Sequence, residues 1–352
     1  MAAMKQFQAL MKDKKLWRPV SLLVVVLPMT LLLFYWCHVS DSLALTSFTY
    51  LALFNIGVLI VHIVSVWASR QVPNNEFNYG YERVNVLAVF SVSIIMILCG
   101  VVLVKHSLER LFDPPAVTMN NLFLGLGVGL FIHYSVLILM DNQPLLHAAE
   151  VATPNWLQNA LGDLGQSVCG LSPPLGRLLL YRLNPFSLMA VGCSISVLTA
   201  KVLIDLDDLH LADVTAAIFN SALICGTMLP LSIYTGKLLL QTAPEHILPL
   251  LDKSMKEAST MDGVLEIKNE HFWTVTFGSY VGSLQVRVRR DADEQEVLKK
   301  VTSCLSSQLN DLTIQVVKDD WNIPLSLSRP SPTPSRTANV HGSSQQQGGY
   351  VS

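Results

Sequence analysis

Long apolar segments are the feature of this sequence that most constrains its fold. Each is near the length of α-helix, about 20 residues, that crosses a hydrocarbon core of about 30 Å. Few charges interrupt them, in keeping with a chain that is 51% hydrophobic and 14% charged. The sequence therefore predicts an α-helical polytopic membrane protein with six spans. The predicted spans are Pro19–Cys37, Leu43–Ala68, Val84–Val104, Leu122–Met140, Phe186–Ile204 and Ala212–Ile233.

A further stretch, Trp156–Tyr181, competes with Phe186–Ile204 for the place of the fifth span. It is interrupted by Asp163, the Pro173-Pro174 pair and Arg177. Because polar groups and freed backbone are unfavourable in contact with lipid, this stretch is expected to be broken or re-entrant. Which segment is the fifth span stays open from the sequence alone.

Basic residues indicate how the chain is oriented. Arg70 and Arg83 lie in the loop after the second span, and five basic residues precede the first. Because cytoplasmic segments carry the excess of Lys and Arg, both regions are predicted to be cytosolic. An even number of spans then places the C-terminus in the cytosol as well. The basic residues before the first span are Lys5, Lys12, Lys14, Lys15 and Arg18.

After the last predicted span the pattern changes to that of a small α+β domain. A helix opens at Pro244, and a later helix carries Val297, Val301 and Leu305 on one face. Between them, apolar and polar residues alternate as in a half-buried strand. The predicted order of elements is α-β-β-α-β. Strand-like segments lie at Val264–Ile267, Phe272–Phe277, Ser283–Arg289 and Thr313–Val317.

The C-terminal residues 323–352 are rich in Ser, Pro, Gln and Gly and poor in apolar residues, so they are predicted to form a disordered tail. Four regions follow from these patterns. They are a cytosolic N-terminal segment at 1–18, a transmembrane domain at 19–240, a cytosolic α+β domain at 241–322 and the tail at 323–352.

The segment FNYGYERVNVLAVF, Phe77–Phe90, combines an aromatic-glycine turn with the charged pair Glu82 and Arg83 at the start of an apolar run. It resembles the cytosolic loop between the second and third spans of the cation diffusion facilitators, which are zinc/proton antiporters. Six spans followed by a metallochaperone-like α-β-β-α-β domain is that family's architecture. The resemblance covers roughly Leu16–Trp321. Several short sequence segments are similar to those of one atypical branch of the family. Those segments include SLALTSFTYL, MLPLSIYTGKLLLQTAP and DGVLEIKNEHFWTVTFGS.

The resemblance implies where a metal site would lie. Family transporters hold zinc with a His-x-x-x-Asp pair on the second span and another on the fifth, since residues four apart share a helix face. The matching positions here are Leu51 and Asn55, and then Asn159 and Asp163. In the alternative alignment, Phe186–Ile204 contains no His, Asp or Glu. No intact site is predicted in either alignment, so zinc is expected as the ion moved by a complex and not as a resident cofactor.

Several of these positions favour structural roles. Asn55 and Asn159 are expected to hydrogen-bond between helices instead of binding metal. In the C-terminal domain, His271 and Trp273 match the family's His-x-Trp signature, but one histidine is too few for tetrahedral zinc. Trp273 is expected to lie in the domain core. With Glu82 and Arg83, these two residues are candidates for structural or interface roles.

The resemblance implies a function for a chain that has the fold but not the ligands. We expect a non-transporting, non-enzymatic subunit of a heterodimeric zinc/proton antiporter, paired with a zinc transporter 5 type protomer. This pair would move zinc from the cytosol into the Golgi, the trans-Golgi network and the early secretory pathway. Membrane lipid is the other expected partner, and no nucleic acid is expected.

Two other classes of function stay open from the sequence. The chain could be an autonomous cation transporter that uses a displaced site built from Asp163, Asn55 and His62. It could instead be a membrane-anchored scaffold or sensor. Zinc uptake by the chain alone would distinguish the first class from the others.

Overall fold

The computed structural model shows two compact units. The first comprises Met1–Leu250, Phe272–Val281 and Gln308–Asp311, and the second comprises the rest of the C-terminal region. The residues that the structure describes are 14–77, 80–112, 122–140, 143–154, 158–159, 163, 185–207, 209–243 and 247–319. The predicted tail at 323–352 and most of the predicted N-terminal segment at 1–18 lie outside them.

Among its described residues, the first unit contains six helices long and apolar enough to cross a membrane, in agreement with the predicted number of spans. A shorter helix, α5, lies between the fourth and fifth of them and was not predicted. The fifth of these helices is α6, which contains the predicted span Phe186–Ile204, whereas the competing stretch Trp156–Tyr181 lies outside the described residues except for 158, 159 and 163. The helices are α1 Lys14–Ser40, α2 Leu43–Ala68, α3 Arg83–Phe112, α4 Leu122–Leu139, α5 Gln143–Ala152, α6 Pro185–Asp207 and α7 Leu211–Leu239.

Helix α2 is the centre of this bundle, because it packs against each of the other six helices. Its large side chains Phe48 and Phe54 are buried at 0% and 2% exposure. The Phe54 ring lies 5.0 Å from the ring of Phe186 on α6. Opposite Phe48, Gly129 on α4 leaves no room for a Cβ atom. A small residue there lets the two backbones approach closely, as is common between membrane helices.

A buried carboxylate from α7 caps the start of α2. Asp213, 1% exposed, accepts hydrogen bonds from Ser42 Oγ at 2.5 Å and from the backbone N–H groups of Leu43 at 2.7 Å and Ala44 at 3.1 Å. Ser42 Oγ in turn accepts from the N–H of Leu45 at 3.1 Å. The first N–H groups of a helix have no partner within the helix, so these contacts satisfy donors that lipid could not.

The C-terminal region has the predicted α-β-β-α-β order. Its helices are α8 Leu248–Ser259 and α9 Glu294–Leu305, and its strands are β1 Val264–Thr276, β2 Ser279–Val288 and β3 Asp311–Lys318, in the sheet order β1-β2-β3. The two segments predicted around residues 264–267 and 272–277 form one strand, β1. Between them the backbone of Asn269 adopts φ 51°, a left-handed conformation that asparagine tolerates better than most residues.

Strand β2 has the alternation that the sequence predicted, with Leu284, Val286 and Val288 buried and Arg287 exposed. The expectation that Trp273 is a core residue is wrong, because its side chain is only partly buried. Strand β1 is at the edge of the three-stranded sheet and has a neighbouring strand on one side alone. A side chain in that position has fewer neighbours to cover it than one on the central strand.

Truncation of Leu284 is expected to destabilise the C-terminal domain more than truncation of Trp273. Leu284 is 3% exposed, and Leu→Ala changes in a core cost about 2–5 kcal/mol. Limited proteolysis of the purified full chain over a temperature series would compare Leu284→Ala with Trp273→Ala. If Trp273→Ala lowers the cleavage midpoint as far as Leu284→Ala does, then Trp273 contributes as a core residue despite its exposure.

Candidate functional site

The two residues of α2 that match a family metal pair are both buried, and neither is arranged as a ligand. Leu51 is 1% exposed and belongs to the hydrophobic core of the first unit. Asn55, one helical turn later and 2% exposed, donates from Nδ2 to the backbone oxygen of Leu51 at 2.9 Å. The amide nitrogen is therefore engaged within its own helix.

The amide oxygen of Asn55 faces His133 on α4, and its distance to His133 Nδ1 is 3.1 Å. Because Nδ2 of Asn55 donates to Leu51, the oxygen is the acceptor in this contact, and Nδ1 of His133 carries the proton. His133 is 2% exposed, and its Nε2 is a buried atom without a hydrogen-bond partner in the described part of the chain. The expected interhelical role of Asn55 is thus confirmed.

His133 was not singled out from the sequence, although a signal existed. It is a histidine in the middle of an otherwise apolar span, and such residues usually face the interior of a helix bundle. Sequence reasoning could not pair it with Asn55, since the two residues lie 78 positions apart.

The buried face of α6 offers apolar and sulfur atoms toward the bundle. Met189, Cys193 and Val197 are each at most 1% exposed, and Cys193 is a free thiol. Near the end of the helix, Lys201 is 8% exposed and its Nζ lies 2.6 Å from Asp205 Oδ2. Phe186–Ile204, which contains no His, Asp or Glu, thus lies on a helix that packs against α2.

A chain of hydrogen bonds connects α2, α6 and α7 one turn before Leu51. Asn220 on α7 donates from Nδ2 to Ser47 Oγ at 2.6 Å. Its Oδ1 accepts from Ser196 Oγ on α6 at 2.5 Å. Ser47 and Asn220 are both 0% exposed. Successive turns along one face of α2 thus carry Ser47, Leu51 and Asn55. Leu51 packs in the core, and the other two are hydrogen-bonded to neighbouring helices.

The alternative site of Asp163, Asn55 and His62 is not assembled by these contacts. Asn159 and Asp163 lie outside the six apolar helices and have exposed side chains. His62 lies two turns beyond Asn55 on α2 and is partly buried. Across the described ranges, no three His, Cys, Asp or Glu side chains are grouped closely enough to hold a metal ion.

The aromatic-glycine turn after α2 is held by local contacts. The rings of Phe77 and Tyr81 are stacked with centroids 4.6 Å apart, and Trp67 meets Tyr81 edge-on at 5.4 Å. Asn74 Oδ1 accepts from the N–H of Phe77 at 2.7 Å. Gly80 adopts φ 70°, a conformation that favours glycine. Phe77, Gly80 and Tyr81 of this motif are therefore held in place by local contacts.

In the charged pair beside this turn, Arg83 has a structural role. Both Nη atoms of Arg83 donate to Gln241 Oε1 at 2.8 Å, with the amide orientation assigned from these hydrogen bonds. This contact joins the start of α3 to the chain just after α7, where Gln241 adopts φ 62°. The side chain of Glu82 is exposed, and its backbone oxygen accepts from the N–H of Asn85 at 3.1 Å.

The His-x-Trp positions lie on β1 with different exposures. His271 is exposed and Trp273 is partly buried. Residues near them belong to a polar sheet face, where Lys268 pairs with Glu266 at 3.0 Å and Asn269 donates to Gln285 at 3.2 Å. These contacts lie earlier on β1 and involve neither His271 nor Trp273.

Asn55 and His133 are expected to be energetically coupled. Interhelical hydrogen bonds in membrane proteins average about 0.6 kcal/mol, with a maximum near 1.7 kcal/mol. A double-mutant cycle with Asn55→Ala and His133→Ala, measured by unfolding in detergent, should give a coupling in that range. As a control, Thr49→Val paired with His133→Ala should show additivity, because the Thr49 hydroxyl donates to Leu45 O of its own helix and not to His133. Additive effects of the Asn55 and His133 changes would contradict the assignment.

Comparison with known proteins agrees with the resemblance carried by these segments. The model for the cation efflux transmembrane domain matches residues 20–240. Zinc transporter 6-A of Xenopus laevis is 37% identical over 328 residues, which is 93% of this chain and 71% of that protein. Zinc transporter 6 of Danio rerio is 39% identical over 318 residues, or 90% of this chain and 65% of that protein. The Homo sapiens protein of that name is 38% identical over 327 residues, with 93% and 71% covered.

This chain thus spans between 65% and 71% of the length of these relatives. The atypical branch to which the sequence strings were similar is that of zinc transporter 6, and the expected resemblance is confirmed. The match covers the six apolar helices as well as the C-terminal domain. The chain therefore belongs to the cation efflux family, the cation diffusion facilitators, whose members are transporters and not enzymes.

Proposed function

We propose that this chain is a non-transporting subunit of a heterodimeric zinc/proton antiporter. Zinc is the proposed cargo because the relatives that match most of the chain are named zinc transporters. The main support for the subunit role is that neither Leu51 nor Asn55 is arranged as a metal ligand. One is a buried hydrocarbon side chain and the other is an amide hydrogen-bonded to Leu51 O and His133.

The ligand chemistry at these positions is unfavourable for zinc. A zinc site needs about four N, O or S donors. Its imidazole and carboxylate ligands also release protons on binding, which couples metal binding to a proton gradient. Leu51 offers no lone pair, and the neutral amide of Asn55 has no proton to exchange in the physiological range. For Asn55 to bind zinc, its contact with His133 would have to break as well.

The rest of the fold supports a role beside a partner. The six apolar helices, the aromatic-glycine turn and the α-β-β-α-β domain are all well formed. In the proposed complex, a zinc transporter 5 type protomer carries zinc and protons. This chain contributes membrane packing and one half of a cytosolic dimer contact, with both termini in the cytosol. The proposed location is the Golgi, the trans-Golgi network and the early secretory pathway.

An autonomous transporter is less well supported by the geometry. The displaced site would have to bring Asp163 to the buried face of α2, where Asn55 already bonds to His133. The structure places Asp163 outside the six apolar helices and exposed. A purely anchored scaffold is distinguished by experiment, because it would not be needed for zinc flux through the partner.

In the heterodimer, Asp163→Asn in this chain is expected to leave zinc transport nearly unchanged. The carboxylate of Asp163 has no partner ligands at Leu51 and Asn55 with which to complete a four-donor site. The measurement is proton-driven zinc uptake into vesicles from cells that lack both endogenous subunits. The matched comparison is removal of one zinc ligand in the partner, which should abolish uptake.

Expression and assembly of each variant are checked by co-purification in the same vesicles. If Asp163→Asn stops uptake while the complex still assembles, this subunit takes part in the ion pathway. If uptake by the partner is the same whether or not this chain is present, the scaffold interpretation replaces the subunit role.

Zinc binding to the purified chain alone is expected to be weak. One carboxylate and neutral amides poorly replace the water shell of a dehydrated zinc ion. Calorimetry on the chain lacking residues 323–352 would measure this without the histidine of that segment. Stoichiometric, submicromolar binding that Asp163→Asn abolishes would contradict the non-transporting role.

A further inference from the structure

Helix α2 is joined to its neighbours at three levels by buried polar side chains. At its start is the Asp213 carboxylate, and one turn further on is Ser47, bonded to Asn220. Two turns beyond Ser47 is Asn55, bonded to His133. The middle level differs from the others, because it connects three helices at once.

The hydrogen bonds at this level have a definite direction. Ser47 Oγ lies 2.6 Å from Ala44 O of its own helix, to which it donates its one proton. It can therefore only accept from Asn220, which assigns Nδ2 of that amide to Ser47. The oxygen of Asn220 then accepts from Ser196 Oγ. Both ends of one amide are used, and they reach two different helices.

Other polar side chains of α7 make different contacts. Thr227 Oγ1 and Thr235 Oγ1 donate to carbonyl oxygens one turn earlier in α7 itself, and Thr227 Oγ1 also lies 3.3 Å from Met189 Sδ of α6. Ser221 Oγ donates to Gly100 O of α3 at 2.8 Å. Among these residues, Asn220 alone joins α7 to both α2 and α6, since the contact of Thr227 reaches α6 only.

We propose that Asn220 is a lock that holds α2, α6 and α7 together in the half of the bundle that contains Asp213. Separation of the helices would leave the amide without partners in a region where lipid supplies none. The lock keeps water out of the interface between the three helices. This role is to hold the three helices in the packed arrangement seen here. It does not depend on whether the chain acts as a subunit or alone.

A leucine at position 220 should release the lock without preventing folding. Leucine is close to asparagine in size and leaves no buried amide unpaired. The two serines keep partners in their own helices, since Ser47 bonds to Ala44 O and Ser196 Oγ lies 2.8 Å from Cys193 O. The change therefore removes the link between helices while each helix retains its own hydrogen bonds.

Cys193 is a native reporter for this interface. It is 0% exposed, a free thiol, and one turn before Ser196 on α6. The experiment uses the full chain in liposomes, with the other five cysteines replaced by alanine, and measures the rate at which a methanethiosulfonate reagent labels Cys193. Those replaced are Cys37, Cys99, Cys169, Cys225 and Cys304.

Asn220→Leu should raise the labelling rate about fivefold to tenfold, from the loss of two interhelical hydrogen bonds of average strength. Ser196→Ala, which removes one of them, should raise it about threefold. The matched control is Thr49→Val, a buried change on α2 that removes only a bond within the helix. It should leave the rate unchanged.

An unchanged rate in Asn220→Leu, or an equal rise in Thr49→Val, overturns the proposal. Elution as a single folded species is required of each variant before labelling. If Asn220→Leu fails that requirement, Ser196→Ala decides the question. A rise in its rate above that of the control supports the lock, and no rise overturns it.

Discussion

The Asp213 carboxylate at the start of α2 is the contact on which the arrangement of the bundle depends. It satisfies two backbone donors and the Ser42 hydroxyl at the N-terminus of α2, which packs against each of the other six described helices of the first unit. A negative charge is stabilised there by the positive end of the helix dipole. Asp213 also lies in the first turn of α7, so its charge is near the positive ends of two helices. Nearby, Arg110 bonds to Asp41 in the α1–α2 turn, which holds α3 to the same end.

From that end inward, protein hydrogen bonds occupy the face of α2 on which the family resemblance places half of a metal site. Ser47 is joined to Asn220, Leu51 lies in the apolar core, and Asn55 is joined to His133. A metal ion bound between helices would hold them together. Its ligand side chains would also have to release protons when the ion binds and release the ion again during transport. Neutral amide and hydroxyl pairs supply attraction alone. They join helices without forming a site that exchanges an ion.

The membrane spans could be predicted from the sequence because hydropathy reports directly on the lipid environment, and all six predicted spans lie within or close to α1–α4, α6 and α7. The order of the C-terminal elements followed in the same way from local periodicity. Contacts between helices could not be predicted, since nothing local marks Asn220 as the partner of Ser47 or His133 as the partner of Asn55. Helix α5 is only ten residues long, too short for a clear period. Trp273 was misjudged because strand order, which leaves β1 at an edge, is not encoded in its own segment.

The two residues of α2 at the positions where the family resemblance places metal ligands both contribute to the packing of the fold. In lipid, an unpaired polar group is costly, so a carboxylate or imidazole without its metal would be a liability in the core. Leucine at position 51 removes that liability and adds core packing, while asparagine at 55 keeps an interhelical hydrogen bond. His133 remains the exception, because its Nε2 is a buried acceptor without a partner among the described residues. Since its Nδ1 proton is directed to Asn55, the lone pair on Nε2 persists in the neutral ring. His133 therefore joins α4 to α2 through Nδ1, while the unsatisfied Nε2 offsets part of the stability that this bond contributes.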